Sequence, residues 1–276
     1  METLATQSLR MPRLGFGTFR LAPEVCRAAV ESALSLGYRH IDTAEMYGNE
    51  TQVGEAIAAS CLARSELHVT TKVWHEHLAP DAIRRAFDAS LKKLKLDVVD
   101  MYLVHWPSRD MELPAVLETM MALREEGRAR AIGVCNFPLP LLKAAIDEIG
   151  APIACNQVEY HVFLEQRALL TYLRAKGVPL VAYAPLAQGA VADNTTLQAI
   201  GRKHEVSAAQ VALAWLLDQP GVAAIPKAAR LESQKANLAA LDLKLDNEDR
   251  TAIAALPKDQ RRVNPPFAPQ WDPPTI

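Results

Sequence analysis

Short runs of apolar and β-branched residues recur along the chain, and most are separated by enough sequence for one helix. The runs are LGFGT (14–18), YRHID (38–42), LHVTTK (67–72), VDMYLVH (99–105), RAIGVC (130–135), IACNQV (153–158), PLVAYA (179–184) and VAAIP (222–226). Several are apolar without a break, the pattern of parallel strands buried on both faces. The intervening segments carry helical spacing. In PDAIRRAFDASLKKLK, Ile83, Phe87, Leu91 and Leu94 share one face, and Pro80 suits a first helical turn. APEVCRAAVESALSLG starts with Pro23 and stops at Gly37. SAAQVALAWLLDQPG opens with Ser207 and Gln210 as a capping box and ends at Pro220-Gly221.

Eight strand–helix units predict an α/β fold, a closed (β/α)8 TIM barrel, formed by residues 1–276 as a single domain. The competing architecture is an open doubly wound sheet, which binds dinucleotides through GxGxxG after a strand. The only candidate for that motif, GFGTFR, has Arg20 in place of the third glycine and precedes no immediate helix. The tail, about 257–276, is proline-rich, but Phe267 and Trp271 predict that it packs near the mouth of the site.

Composition narrows the function classes. Half of the residues are apolar, 22% are charged and the formal net charge is -2. With no basic excess, nucleic acid is not an expected partner. Arg84, Arg85, Lys92, Lys93 and Lys95 cluster as on a solvated helix face. The start METLATQSLRMPRLGFG lacks the charge-then-apolar order of a signal peptide, and no run approaches the ~18 apolar residues of a membrane span. Cys26, Cys61, Cys135 and Cys155 are widely spaced without a CxxC pair, as expected of a reduced cytoplasmic protein.

Barrel active sites sit at the C-terminal ends of strands. Those ends place Asp42, Lys72 and His105 on three successive strands, with Tyr47 in the loop above Asp42. A lysine in an apolar mouth needs a counter-charge, which Asp42 supplies. An ammonium beside the Tyr47 hydroxyl favours phenolate, so a pKa lowered from ~10 is expected. Tyr47 and His105 then form two donors toward an oxygen that gains charge, which polarises a carbonyl for hydride delivery. Alone, an Asp–Lys pair is more often structural and a strand-end histidine more often a core group. The combination argues for chemistry. Asn49 is expected to cap the following helix.

GFGTFR, DTAEMYGNE, TKVW, HWP, IGVCNF, NQVEYH and AIPK resemble the successive motifs of the aldo-keto reductases, in order, from Leu14 to Asp272. RRVNPPFAPQWD and the short PSRDMELP loop resemble bacterial members that reduce diketo sugar acids. The resemblance implies a catalytic tetrad of Asp42, Tyr47, Lys72 and His105, with Tyr47 the general acid. His105 stands where steroid double-bond reductases of the family carry Glu, which favours carbonyl reduction.

The resemblance also implies an NADPH/NADP+ site, with NADH a weaker alternative. Gly17, Thr18, Phe19 and Asp42 fall at its start. Asn136 and Gln157 match the holders of the nicotinamide carboxamide, with Cys135 where serine is common. Tyr183 matches the stacking aromatic, and Ala184, Leu186 and Gln188 the segment along the pyrophosphate. Pro226, Lys227, Ala228 and Arg230 match positions near the 2′-phosphate, with Ser233 where arginine is common and Asn237 an adenine contact. Phe19, Tyr47, Trp74, His105 and Trp106 are expected to line a pocket for small aldehydes, ketones or dicarbonyls such as methylglyoxal and diketo sugar acids. A monomer without metal is implied. Two alternatives remain at this level: a metal-dependent hydrolase using His75 and His77, and a cofactor-binding regulator with little turnover.

Overall fold

The computed structural model describes residues 2–6 and 9–273. A hairpin of β1 (Thr3–Thr6) and β2 (Leu9–Pro12) opens the chain. Eight strands then form one parallel sheet in sequence order: β3 (Phe16–Gly17), β4 (His40–Asp42), β5 (His68–Val73), β6 (Val99–Val104), β7 (Ala129–Cys135), β8 (Ile153–Glu159), β9 (Leu180–Tyr183) and β10 (Val222–Ala224). All eight fall on the apolar runs of the sequence, with ends that differ by at most two residues. Helices join them: α1 (Pro23–Ser35), α2 (Glu50–Ala59), α3 (Pro80–Leu94), α4 (Leu113–Glu125), α5 (Leu139–Lys143), α6 (Arg167–Ala175), α7 (Thr195–Lys203) and α8 (Ala208–Leu217). They are followed by α9 (Leu231–Ala239) and α10 (Asn247–Ala254).

Alternation along the strands sorts the side chains between two cores. Tyr102 and Val104, like Ile132 and Val134, join the large cluster beneath the helices. Met101, Leu103, Ala131, Cys135, Cys155 and Val181 instead meet across the other face of the sheet, in a second cluster with Ala223 and Ile225. Neighbours on that strand register carry Asp42, Lys72 and Gln157 onto the same face. The hairpin closes the far end of this inner core, where Met11 is buried and Thr6 Oγ1 donates to Ala154 O. It has no counterpart in the sequence reading.

The edges of the sheet also approach one another. Gly15 N donates to Ala224 O at 2.8 Å, Ala224 N to Arg13 O at 2.8 Å and Gly17 N to Pro226 O at 3.1 Å. A Cβ on Gly17 would come within 2.6 Å of Ile225 O, so this approach requires glycine. The tail crosses the C-terminal rim of the sheet, where Phe267 and Trp271 both contact Trp106. The last part of the expected tail, 274–276, lies outside the described residues.

Three inward or fully enclosed histidines, His40, His68 and His105, are held neutral because burial disfavours their charged form. An unfolded histidine titrates near ~6.5, so unfolding below that pH takes up protons and stability falls as pH falls. The melting temperature is expected to drop between about pH 7.5 and about pH 5.5, with uptake of up to about three protons on unfolding. Calorimetry across that range checks this. A flat or rising melting temperature would contradict the neutral assignment.

Candidate active site

β4 and β5 pair in parallel, and their inward residues put Asp42 beside Lys72. Both side chains are fully buried. Lys72 Nζ donates to Asp42 Oδ1 at 2.5 Å, to Thr43 O at 2.8 Å and to Tyr47 Oη at 3.3 Å. Gln157, from β8, donates to Asp42 Oδ2 at 2.8 Å. The ammonium's three protons therefore have three acceptors, and both carboxylate oxygens are used. Burial disfavours charge on Lys72, but the negative partners around it outweigh that and hold its pKa above the ordinary lysine value.

Tyr47 ends a 3-10 turn, Glu45–Tyr47, that Gly48 closes at φ 68°. Glu45 ties this turn to the next strand: its carboxylate accepts from Trp74 N and lies 3.2 Å from His77 Nδ1. Asn49 occupies the N-cap position of α2 but makes no side-chain cap. Its amide instead donates to Thr18 O at 2.9 Å and Leu21 O at 3.0 Å, and its oxygen accepts from Thr43 Oγ1 at 3.2 Å. The expected capping role is corrected: Asn49 clamps the β3–α1 loop to the end of β4.

The expected lowering of the Tyr47 pKa is also corrected. Desolvation dominates and pushes the hydroxyl up to about 12, while Lys72 pulls in the opposite direction. Tyr47 is therefore a protonated donor at neutral pH. His105 follows β6, its ring centroid 5.5 Å from that of Tyr47 and 5.2 Å from that of Trp74. Burial and the Lys72 charge hold His105 neutral, and its Nδ1 has no hydrogen-bond partner among the described residues.

Tyr47 and His105 open onto a cavity of about 490 Å³. Gly17, Phe19, Asp42, Gln157, Tyr183, Ala184, Leu186, Gln188, Pro226 and Lys227 also line it, as does Trp106. Trp74 stands behind, against His105 and Phe267. Several expected cofactor residues are not among the lining. Cys135 is enclosed in the inner core, and Thr18 is buried with its hydroxyl on Asp42 O. Asn136 is engaged at both ends of its amide, donating to His105 O at 3.0 Å and accepting from Tyr183 Oη at 2.8 Å. Ala228 is buried, Arg230 is exposed at the N-cap of α9, and Ser233 and Asn237 lie within that helix. Arg20, Met46, Ile225 and Val263 line the cavity without having been expected there. Arg20 had a signal, as the cation that interrupts the glycine pattern. Val263 had none, because only folding returns the tail to this rim.

The backbone around the cavity is strained into the left-handed region at Arg20, Asn136, Ala184, Ala187 and Gln188. Non-glycine residues persist there only where surrounding contacts enforce the conformation. His75 and His77 diverge, the first against the Phe267 ring and the second toward Glu45.

A sequence model of the aldo/keto reductase family matches residues 13–258. A methylglyoxal reductase of Salmonella typhimurium is 41% identical over 268 residues, covering 96% of this chain and all of that protein. A glyoxal reductase of Bacillus subtilis is 39% identical over 254 residues, covering 92% of this chain and 91% of its own length. A crystal structure provisionally assigned as a 2,5-diketo-D-gluconic acid reductase B superposes with a TM-score of 0.96 at 40% identity. It covers 99% of this chain and 98% of its own.

Removing one partner of a buried ion pair strands the other charge. Asp42→Asn is expected to cost about 3–5 kcal/mol, and adding Lys72→Met should recover part of that loss. Urea unfolding of the single and double variants measures both. A cost below about 1 kcal/mol for the single variant would show that Lys72 finds its compensation elsewhere.

Proposed function

This chain belongs to the aldo/keto reductase family, and on that premise we propose that Asp42, Tyr47, Lys72 and His105 carry out NADPH-dependent reduction of small dicarbonyls. The chain is an oxidoreductase acting on carbonyl groups. The observation that carries the residue assignment is the convergence of a protonated tyrosine and a neutral histidine on one cavity, with a charged, fully buried lysine 3.3 Å behind the tyrosine hydroxyl. The edge-to-edge backbone bonds support reading the sheet as a closed (β/α)8 barrel, and the tail's contacts with Trp106 support one domain. No helix among the described residues is long and apolar enough to cross a membrane.

The site's features fit a nicotinamide dinucleotide. The cavity runs from His105 past Tyr183 and the strained 184–188 segment to Lys227. Arg20 and Lys227, both on its wall, have no carboxylate partner among the described residues. Such cations suit phosphates. Tyr183 offers a ring face, and Gln157 an amide group. Arg230, exposed three residues after Lys227 at the start of α9, supports a preference for the 2′-phosphorylated form.

When bound, the cofactor supplies the hydride. The chain's own residues handle the carbonyl oxygen. Tyr47 Oη gives its proton to that oxygen as the carbonyl carbon is reduced, leaving phenolate. Lys72 Nζ, fixed by Asp42 and Thr43, stabilises that phenolate from 3.3 Å. The neutral His105 imidazole orients the carbonyl, and Trp74, Trp106 and Phe19 limit water beside it. Nothing in the relatives' names favours the regulatory alternative. The polar centre deep in an otherwise apolar wall fits a small dicarbonyl.

Tyr47→Phe is expected to lower kcat for methylglyoxal by at least about a thousandfold while NADPH affinity stays within about threefold. Stopped-flow turnover and cofactor fluorescence quenching check this, and near-normal turnover would remove Tyr47 as the acid. Arg230→Ala should weaken NADPH binding by about tenfold or more and leave NADH almost unchanged. Equal losses for the two cofactors would take Arg230 away from the phosphate.

A further inference from the structure

One wall of the cavity does not belong to the sheet, and a buried carboxylate binds its backbone. Glu159 ends β8 and is fully buried, two residues beyond Gln157 on the same inward face. Its Oε1 accepts from Arg262 N at 2.6 Å and from His161 Nε2 at 2.9 Å. Its Oε2 accepts from Val263 N at 3.0 Å and lies 3.7 Å from Arg261 Nη1. Three consecutive tail residues thus turn donors toward one carboxylate.

Those residues lead directly to the pocket. Val263 lines the cavity with Tyr47 and His105. The Arg261 guanidinium lies 3.7 Å from the Trp271 ring centre, and Trp271 donates from its indole nitrogen to Asn264 Oδ1 at 2.8 Å. Trp271 meets Trp106, while Phe267 meets both Trp74 and Trp106 at 5.5 Å. On the other side Lys258 tethers the start of the tail, donating to Val162 O and Ile253 O at 2.7 Å each.

We propose that Glu159 is a positioning residue for substrate selectivity, pinning residues 261–263 so that the tail sets the size of carbonyl compound the pocket admits. The proposal rests on the carbonyl-reductase reading of the same site. A buried carboxylate must keep its donors or carry an uncompensated charge. Two successive backbone N–H groups supply them, whatever side chains the tail carries, so they tie its main chain to the end of β8. The ring contacts of Phe267 and Trp271 then set which residues face the pocket. Glu159 touches none of the four groups assigned to the chemistry, so its effect falls on the wall and not on proton transfer. Glutamine at this position keeps the shape but has only one acceptor oxygen, and its amino group would face the tail's N–H donors.

The test compares methylglyoxal with phenylglyoxal, which differ only in methyl against phenyl, in the full-length protein and its E159Q variant. KM for phenylglyoxal is expected to rise by about tenfold, while kcat for methylglyoxal and affinity for NADPH change by less than about twofold. Hydrogen exchange at the Arg262 and Val263 amides should be slow in the parent protein and fast in E159Q. V263A should shift the same KM ratio with the Arg262 amide still protected. Should E159Q fail to fold, R262P removes one donor from the tail side and must shift that ratio too. An unchanged ratio, a parallel loss of NADPH affinity, or unprotected amides in the parent protein would overturn the proposal. If the parent protein reduces neither dicarbonyl, the carbonyl-reductase reading falls, and amide exchange still decides whether the latch exists.

Discussion

The site depends on an ion pair placed where neither partner can reach water. Lys72 and Asp42 are each enclosed, all three ammonium protons have acceptors, and each carboxylate oxygen accepts one hydrogen bond. Such a pair contributes little net stability, because desolvation offsets most of its attraction. It contributes position. The ammonium can sit only where Asp42, Thr43 and Tyr47 receive it, so three segments of chain share one fixed point. The same low polarity that makes the pair costly keeps Tyr47 protonated and His105 neutral. One environment therefore sets the protonation of the whole group.

Much of the architecture was legible before folding because its signals are local. Apolar runs separated by helical spacing identify all eight parallel strands, and strand ends identify Asp42, Lys72 and His105. Alternation explains why these meet: residues two apart share a face, and the parallel register aligns the faces of neighbouring strands. The Tyr47 acidity was misjudged because a sequence shows which charge lies near but not how much water is lost. Asn49 was misjudged for a related reason. A helix start predicts a cap, but the carbonyls of Thr18 and Leu21, brought from a distant loop, compete for the same amide.

What sequence could not show lies mainly in returns of the chain over long separations. Val263 reaches the cavity only after the tail crosses the rim, and Glu159 gives no hint of its role until the amides of 262 and 263 arrive. The cofactor assignments divide in the same way. Gln157, Tyr183 and Lys227, on strands or their immediate loops, line the cavity, whereas Thr18, Cys135 and Asn136 are enclosed and the positions on α9 depend on how that helix docks. Left-handed backbone at Ala184 and Gln188 is likewise invisible in composition, since alanine and glutamine carry no preference for it.

The Asn49 clamp has a consequence for the chemical ageing of the protein. Its side chain is buried and holds two carbonyl oxygens with one amide nitrogen. Hydrolysis of that amide would replace a double donor with an anion facing two acceptors, in a place water cannot screen. Such a change adds a single oxygen-for-nitrogen exchange, yet it would release the β3–α1 loop and the turn that carries Tyr47 together. The rigidity of the clamp also slows that reaction, because the backbone attack that drives deamidation needs a freedom this residue lacks. The bond that organises the loop thus protects itself for as long as the loop stays folded.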